Sequence, residues 1–152
     1  MSKRFILLLA GIVAVAAIVA GCGSSSSDNI SKAEFVKRGD ELCKQGSAEI
    51  EGEVKAYAKE HDISLKSQLR EAQLEELSEN VVIPAIQKQL DGLKALGTPS
   101  EDEDQANELF DALEDGIEKG EEDPGAFVEG EGTLGKANKL ADEFGFKDCG
   151  QE

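Results

Sequence analysis

Apolar residues recur at helical spacing along most of the chain, and no long stretch alternates apolar and polar positions as a strand would. The first helical segment starts at a capping box, Ser31-Lys32-Ala33-Glu34, in which the first and last side chains can each bond an amide of the first turn. Its apolar stripe repeats every seven residues, at Val36, Cys43, Ile50 and Tyr57. The pattern predicts a long helix that starts at Ser31 and has Cys43 on its buried face.

A second helical segment runs from about Ser67 to Gly97, with leucine, isoleucine and valine spaced by threes, fours and fives. Pro84 interrupts it. Proline has no N–H to donate to the carbonyl of Asn80 and its ring crowds that carbonyl, so we expect a kink or a short break near Val82 to Pro84.

Two further helices follow. A second capping box, Ser100 to Glu103, predicts the start of the third helix, and Asp123 and Pro124 have the residue types of an N-cap and a first helical position for the fourth. Gly145 is typical of the residue that ends a helix. The buried stripe of the third helix is predicted at Ala106, Leu109, Phe110, Leu113 and Ile117, and that of the fourth at Phe127, Val128, Leu134, Ala137, Ala141 and Phe144.

Four amphipathic segments joined by short breaks predict an all-α fold, an antiparallel four-helix bundle over residues 31–152 whose second helix is kinked at Pro84. Three glycines, Gly39, Gly46 and Gly52, lie in the first helix. Each can weaken the helix by up to ~1 kcal/mol relative to alanine, or can let a neighbouring helix approach closely. The sequence leaves both interpretations open.

The N-terminal segment has the features of an export signal. Lys3 and Arg4 precede an uncharged apolar run over residues 5–20, which ends in the small residues of "VAGC" at Cys22. This motif resembles the lipobox of bacterial lipoproteins, and the resemblance implies cleavage before Cys22 and attachment of diacylglycerol to its thiol. The alternative is an ordinary export signal with an incidental cysteine.

We therefore expect residues 1–21 to be a lipoprotein signal peptide and residues 22–30, which are rich in serine, to be a flexible linker. More than one acyl chain would hold the protein stably at a membrane. The expected location is the extracytoplasmic face of the cell membrane, to which the protein is anchored by its N-terminal lipid.

Charge restricts the partners. Removal of residues 1–21 takes away two cations and leaves 14 basic and 32 acidic residues, a net charge of −18. Residues 101–152 hold 18 acids and 4 lysines. This half of the chain is therefore not expected to bind nucleic acid or anionic lipid headgroups. A solvated acidic face is the simplest interpretation, and a basic protein or divalent cations are the alternative, although the spacing of an EF-hand is absent.

No motif predicts catalysis or a cofactor. "GEGTLG", at residues 130–135, matches the dinucleotide pattern, but no predicted strand precedes it, and Glu129 and Glu131 would repel phosphates. His61 is the only histidine and lies between Glu60 and Asp62, so we expect a solvated loop residue. We accordingly predict no catalytic, cofactor-binding or metal-binding residues and no enzymatic activity.

Two cysteines remain once Cys22 is assigned to lipid. Cys43 and Cys149 are 106 residues apart, and thiols in an oxidising compartment usually pair. The segment after the fourth helix can fold back over the bundle to reach Cys43. Two free thiols or a redox pair are the alternatives, although the chain has no Cys-x-x-Cys motif.

Several segments together carry a resemblance: the lipobox, the capped first helix with its cysteine, "VVIPAIQKQLDGLKALGTPSEDED", "EEDPGAF" and the terminal "FGFKDCG". They resemble a group of small actinobacterial lipoproteins. The resemblance implies a helical secreted domain in which Cys43 is bridged to Cys149, and it implies no activity. We expect a tethered interaction or scaffold domain for another envelope protein. The alternative is a low-affinity capture protein for a small solute or divalent cation, with a site near Pro84 or on the acidic third helix.

Overall fold

A computed structural model describes residues 30–66, 68–127 and 132–150, and within these ranges 76% of the residues are helical and none lies in a strand. The prediction of an all-α fold is confirmed. The predicted signal peptide, Cys22 and the linker up to residue 29 lie outside the described ranges. The helices are α1 (Lys32–Glu60), α2 (Glu71–Leu77), α3 (Ile83–Ala95), α4 (Glu103–Glu122), α5 (Pro124–Phe127) and α6 (Gly135–Phe144).

Three predicted helix boundaries are confirmed by their capping bonds. The Ser31 hydroxyl accepts the Glu34 amide at 3.3 Å at the start of α1. Asp123 accepts the amide of Ala126 at 3.1 Å, which caps α5. Gly145 ends α6 with a φ of +113°, a left-handed conformation that favours glycine.

Two predicted boundaries are wrong. The third helix, α4, begins at Glu103 after Asp102 and not at Ser100, because a turn closed by the Asp102 amide and the Pro99 carbonyl occupies the preceding residues. The predicted fourth helix is two helices, α5 and α6. The turn before α6 contains Gly132 at a φ of +57°, which helical backbone cannot adopt, and the predicted stripe residue Val128 lies outside the described ranges.

The interruption expected near Pro84 is a π-helical turn, Ser78–Val82, which joins α2 directly to α3. In this turn the amide of Ile83 bonds to the carbonyl of Ser78, five residues back. A π-turn widens the helix by one residue, and such turns bend or offset the helices in which they occur. The chain thus passes Pro84, at the second position of α3, without leaving the helix.

Phe35 organises the main core. Its side chain is fully buried, and its ring meets those of Phe110, Phe144 and Phe146 edge-on at centroid distances of 6.2, 5.7 and 5.7 Å. These rings belong to α4, to α6 and to the segment after α6, so one side chain of α1 contacts three other parts of the chain. A second, smaller cluster contains Ala58, Ile63, Leu77 and Val81.

The segment after α6 folds back over α1, as predicted, and the Cys43–Cys149 disulfide joins the two with the Cα atoms 5.2 Å apart. Phe146 crosses α1 at Gly39, where an added Cβ would lie 2.4 Å from the phenyl ring. At Gly52 an added Cβ would meet nothing within 4 Å. Close approach therefore explains Gly39 and does not explain Gly52.

Asp40 holds the same C-terminal segment through its backbone. One carboxylate oxygen accepts the amides of Lys147 at 2.9 Å, Asp148 at 2.8 Å and Cys149 at 3.4 Å. Hydrogen bonds to a charged acceptor are stronger than those between neutral groups. This carboxylate, the disulfide and the Phe146 ring together fix residues 146–149 against α1.

Candidate functional site

A cavity of about 440 Å³ lies between α1, α3, α4 and α6, directly beside the disulfide. Its position follows from how the helices pack. α1 packs against α3, α3 against α4, and α4 against α6. The link between α1 and α6 is made by the Phe35–Phe144 contact and by the disulfide-bonded segment. Beyond Cys43, towards Ile50, the space between these two helices stays open and forms the cavity.

The walls of the cavity are mostly aliphatic. The inner part is formed by buried side chains, which include Leu90 of α3 and Leu109 of α4, exposed by only 1% and 2%. The outer part is formed by half-buried side chains: Ile50, Val82, Ile86, Leu113 and Leu134. All of these outer residues except Val82 belong to the predicted apolar stripes, but the fold leaves them partly in contact with solvent.

Four polar side chains also line the cavity. Gln89 and Asn138 are half-buried, and Ser47 and Asp148 are exposed at its mouth. Among the described residues of the lining, Asp148 is the one charged side chain, and none is lysine, arginine or histidine. The hydroxyl and amide groups can exchange hydrogen bonds with a ligand. The two cysteines in the wall are bonded to each other, so neither is available as a nucleophile or a metal ligand.

His61, predicted as a solvated loop residue, lies at the end of α1 with its side chain 40% exposed. Its ring stacks on that of Tyr57 at a centroid distance of 4.0 Å, and its Nδ1 lies 3.3 Å from a carboxylate oxygen of Glu76. The Tyr57 hydroxyl donates to the same oxygen at 3.1 Å. Desolvation, followed by this bond to a carboxylate, raises the pKa of Tyr57 above its ordinary value. None of the three residues lines the cavity.

A second depression, of about 430 Å³, lies beside Pro84, close to the position that the sequence suggests for solute capture. Ile83 and Gln87 also line it, and Glu79 and Glu121 are exposed at its edge. Across the described ranges, no group of three or more histidine, cysteine or carboxylate side chains is placed to hold a metal ion. Of the described residues that line this depression, two are apolar, Ile83 and Pro84. The main cavity has many more apolar lining residues and is therefore the stronger candidate site.

Sequence reasoning identified the two cysteines of the cavity wall but missed its polar groups. Gln89 carries the one available signal, because it lies directly before Leu90 and four residues before Leu93, which both belong to the apolar stripe of α3. Its side chain extends over Gly46 of α1, where an added Cβ would lie 2.4 Å from the amide carbon. Asp148 and Asn138 carry no comparable signal, since both look like ordinary surface positions.

No protein-family model, curated protein or solved structure matches this chain. The resemblance to small actinobacterial lipoproteins therefore stays a prediction. Within the ranges that the structure describes, none of the helices has the length and hydropathy needed to cross a membrane.

Proposed function

We propose that this protein is a binding protein that captures a small, largely apolar molecule in the cavity between α1, α3, α4 and α6. The cavity itself carries the proposal. Its volume of about 440 Å³ lies within the range of roughly 300–1,000 Å³ that is usual for small-molecule sites. The inner wall is buried and the mouth is open to solvent, so a small molecule could enter the space.

The chemistry of the lining supports binding rather than catalysis. A ligand that covered the half-buried aliphatic side chains would gain about 25 cal/mol for each Å² of apolar surface removed from water. Ser47, Gln89 and Asn138 would orient its polar end. The part of the lining that the structure describes offers no activated nucleophile and no pair of acid and base groups, which hydrolytic mechanisms use.

The proposed location is the extracytoplasmic face of the cell membrane, where a lipid on Cys22 would tether the domain through the linker of residues 22–30. The charged, apolar and small-residue parts of the N-terminal segment support this location. A structural disulfide is compatible with it, since such bonds persist in oxidising compartments.

We also propose that the helices form an antiparallel four-helix bundle, in which α2 and α3 count as one interrupted helix and α5 is part of a connection. Contacts between α1 and this interrupted helix support the proposal. Tyr57 bonds Glu76, Gly46 meets Gln89, and Gly39 meets Leu93. As the residue number falls along α1 it rises along the partner, which is the order of two antiparallel helices.

Binding can be tested with N-phenyl-1-naphthylamine, a neutral dye that fluoresces in apolar surroundings. The purified protein should bind it saturably. Ser47→Trp, which places a large side chain at the mouth without changing the buried wall, should weaken binding at least tenfold. Ala48→Trp is the matched control, because Ala48 is exposed and does not line the cavity. Absence of saturable binding, or equal binding by both variants with native circular dichroism, would contradict the proposal.

The second candidate function is the tethered interaction domain, whose partner is a basic surface of another envelope protein. The acidic half of the chain favours it: residues 101–152 carry 18 acids and 4 lysines, and most acids of α4 are exposed. In-cell cross-linking with mass spectrometry tests it by comparing the native protein with Cys22→Ala. A basic envelope protein captured only by the anchored form would support this function, and no capture above that of control lipoproteins would oppose it.

A further inference from the structure

We infer that the cavity selects amphiphiles with a cationic head over those with an anionic head, so that its ligand is an apolar amine. This inference rests on the proposed function and adds the chemical class of the ligand. It follows from three features of the cavity: the charge at its mouth, the way that charge is held, and the apolar character of its inner part.

The charge at the mouth is negative. Within the described ranges, Asp148 is the one charged side chain of the lining, and no lysine, arginine or histidine of those ranges lines the cavity to offset it. The other polar groups there, on Ser47, Gln89 and Asn138, are uncharged. An ammonium group at the mouth would therefore meet a carboxylate and neutral acceptors. A carboxylate or phosphate head would meet a like charge with no cation to bind it.

The backbone fixes Asp148 at this position. Its amide donates to Asp40 at 2.8 Å, and the next residue is joined to α1 by the disulfide. A carboxylate on a fixed backbone loses less conformational freedom on binding than one on a mobile loop. The side chain itself remains exposed, which leaves its oxygens accessible to a ligand head.

The inner part of the cavity suits the apolar portion of such a ligand. The walls there are aliphatic, with Leu90 and Leu109 almost fully buried. A volume of about 440 Å³ lies towards the lower end of the range of roughly 300–1,000 Å³ that small-molecule sites have. A single aliphatic chain or a small ring system with one amine fits this space, and a lipid with two long chains does not.

The charge of the whole chain acts in the same direction. The formal net charge is −16, and a field of one sign raises the local concentration of oppositely charged ligands. Salt screens this attraction over about 10 Å at 0.1 M. The preference for an amine should therefore decrease as the ionic strength rises, whereas the burial of the apolar portion should change little.

Three probes with the same chain and different heads test the inference: decylamine, decanol and decanoate, each competing with N-phenyl-1-naphthylamine below its micelle concentration. At neutral pH the amine is a cation and the carboxylate an anion. We expect decylamine to bind about tenfold more tightly than decanoate, with decanol between them, since an exposed carboxylate changes affinity by about two- to fivefold in each direction.

Asp148→Asn should reduce the ratio of amine to carboxylate affinity by at least half. Asp142→Asn is the matched control, because it removes the same charge from an exposed position of α6 that does not line the cavity, and it should leave the ratio unchanged. If neither the dye nor any probe binds, the proposed function fails. If all three probes bind equally or decanoate binds best, the cationic preference is wrong and the proposed function stands. If Asp148→Asn retains the full ratio, the assignment of the preference to the Asp148 carboxylate is wrong.

Discussion

Replacing both Cys43 and Cys149 by alanine should lower the free energy of unfolding by about 4.7 kcal/mol. The bond links residues 106 positions apart, so in the unfolded chain it closes a long loop and removes much of its conformational freedom. The chain-entropy relation for a loop of about 100 residues gives the stated value. The folded state should persist without the bond, because Asp40 and Phe146 still hold the C-terminal segment against α1.

Urea denaturation followed by far-ultraviolet circular dichroism measures this loss. With a denaturant dependence of about 2 kcal/mol per M, the midpoint should fall by roughly 2 M. All variants are made with Cys22→Ala, so that no third thiol can exchange with the pair. Dithiothreitol should produce the same fall in the otherwise unchanged protein and none in the double variant. A loss below about 1 kcal/mol would refute the loop-closure argument, because removal of a native disulfide from a small secreted domain typically costs about 2–5 kcal/mol.

Three further perturbations have defined outcomes. Gly52→Ala should stabilise the protein by up to ~1 kcal/mol, whereas Gly39→Ala should destabilise it by ~1–3 kcal/mol, since its Cβ would lie 2.4 Å from an aromatic ring; urea denaturation of both variants measures the contrast. Ser78→Ala should raise the thermal midpoint, because the Ser78 hydroxyl is buried without a partner in the described ranges and hydroxyl desolvation costs about 1–3 kcal/mol. The raised pKa of Tyr57 means that its contribution to stability is complete below pH ~10 and is lost as the pH rises through the folded pKa. Ultraviolet titration of Tyr57, the sole tyrosine, should give a higher midpoint pH in the native protein than in the Glu76→Gln variant.

Local signals in the sequence predicted the ends of helices correctly where a single residue caps or ends the helix. Ser31, Asp123 and Gly145 cap or end helices as expected, because each acts within a single turn. The box at Ser100 failed because the Asp102 amide closes a turn with the Pro99 carbonyl, and the Asp102 carboxylate lies 2.9 Å from the amine of Lys32, 70 positions earlier in the chain. A contact of that range is invisible to a pattern that spans four residues.

The cavity could not be predicted for a related reason. An apolar stripe shows which side of a helix is buried, but not how far apart two stripes lie once their helices are packed. Ile50 and Leu134 both fit the predicted stripes, yet they border an open space because α6 packs on α4 and reaches α1 mainly through the disulfide-bonded segment. The polar residue Asp40, which fixes that segment, likewise gave no signal, since its partners are backbone amides.

The disulfide also determines how the chain would respond to mechanical load. A force applied between the residues before Cys43 and those after Cys149 crosses directly from one to the other through the sulfur atoms. The part of α1 after Cys43 and every helix from α2 to α6 lie inside this covalent ring and are bypassed by the tension. The tension would fall on the part of α1 before Cys43, which carries Phe35 and Asp40, and the covalent ring that contains the other helices could not be extended.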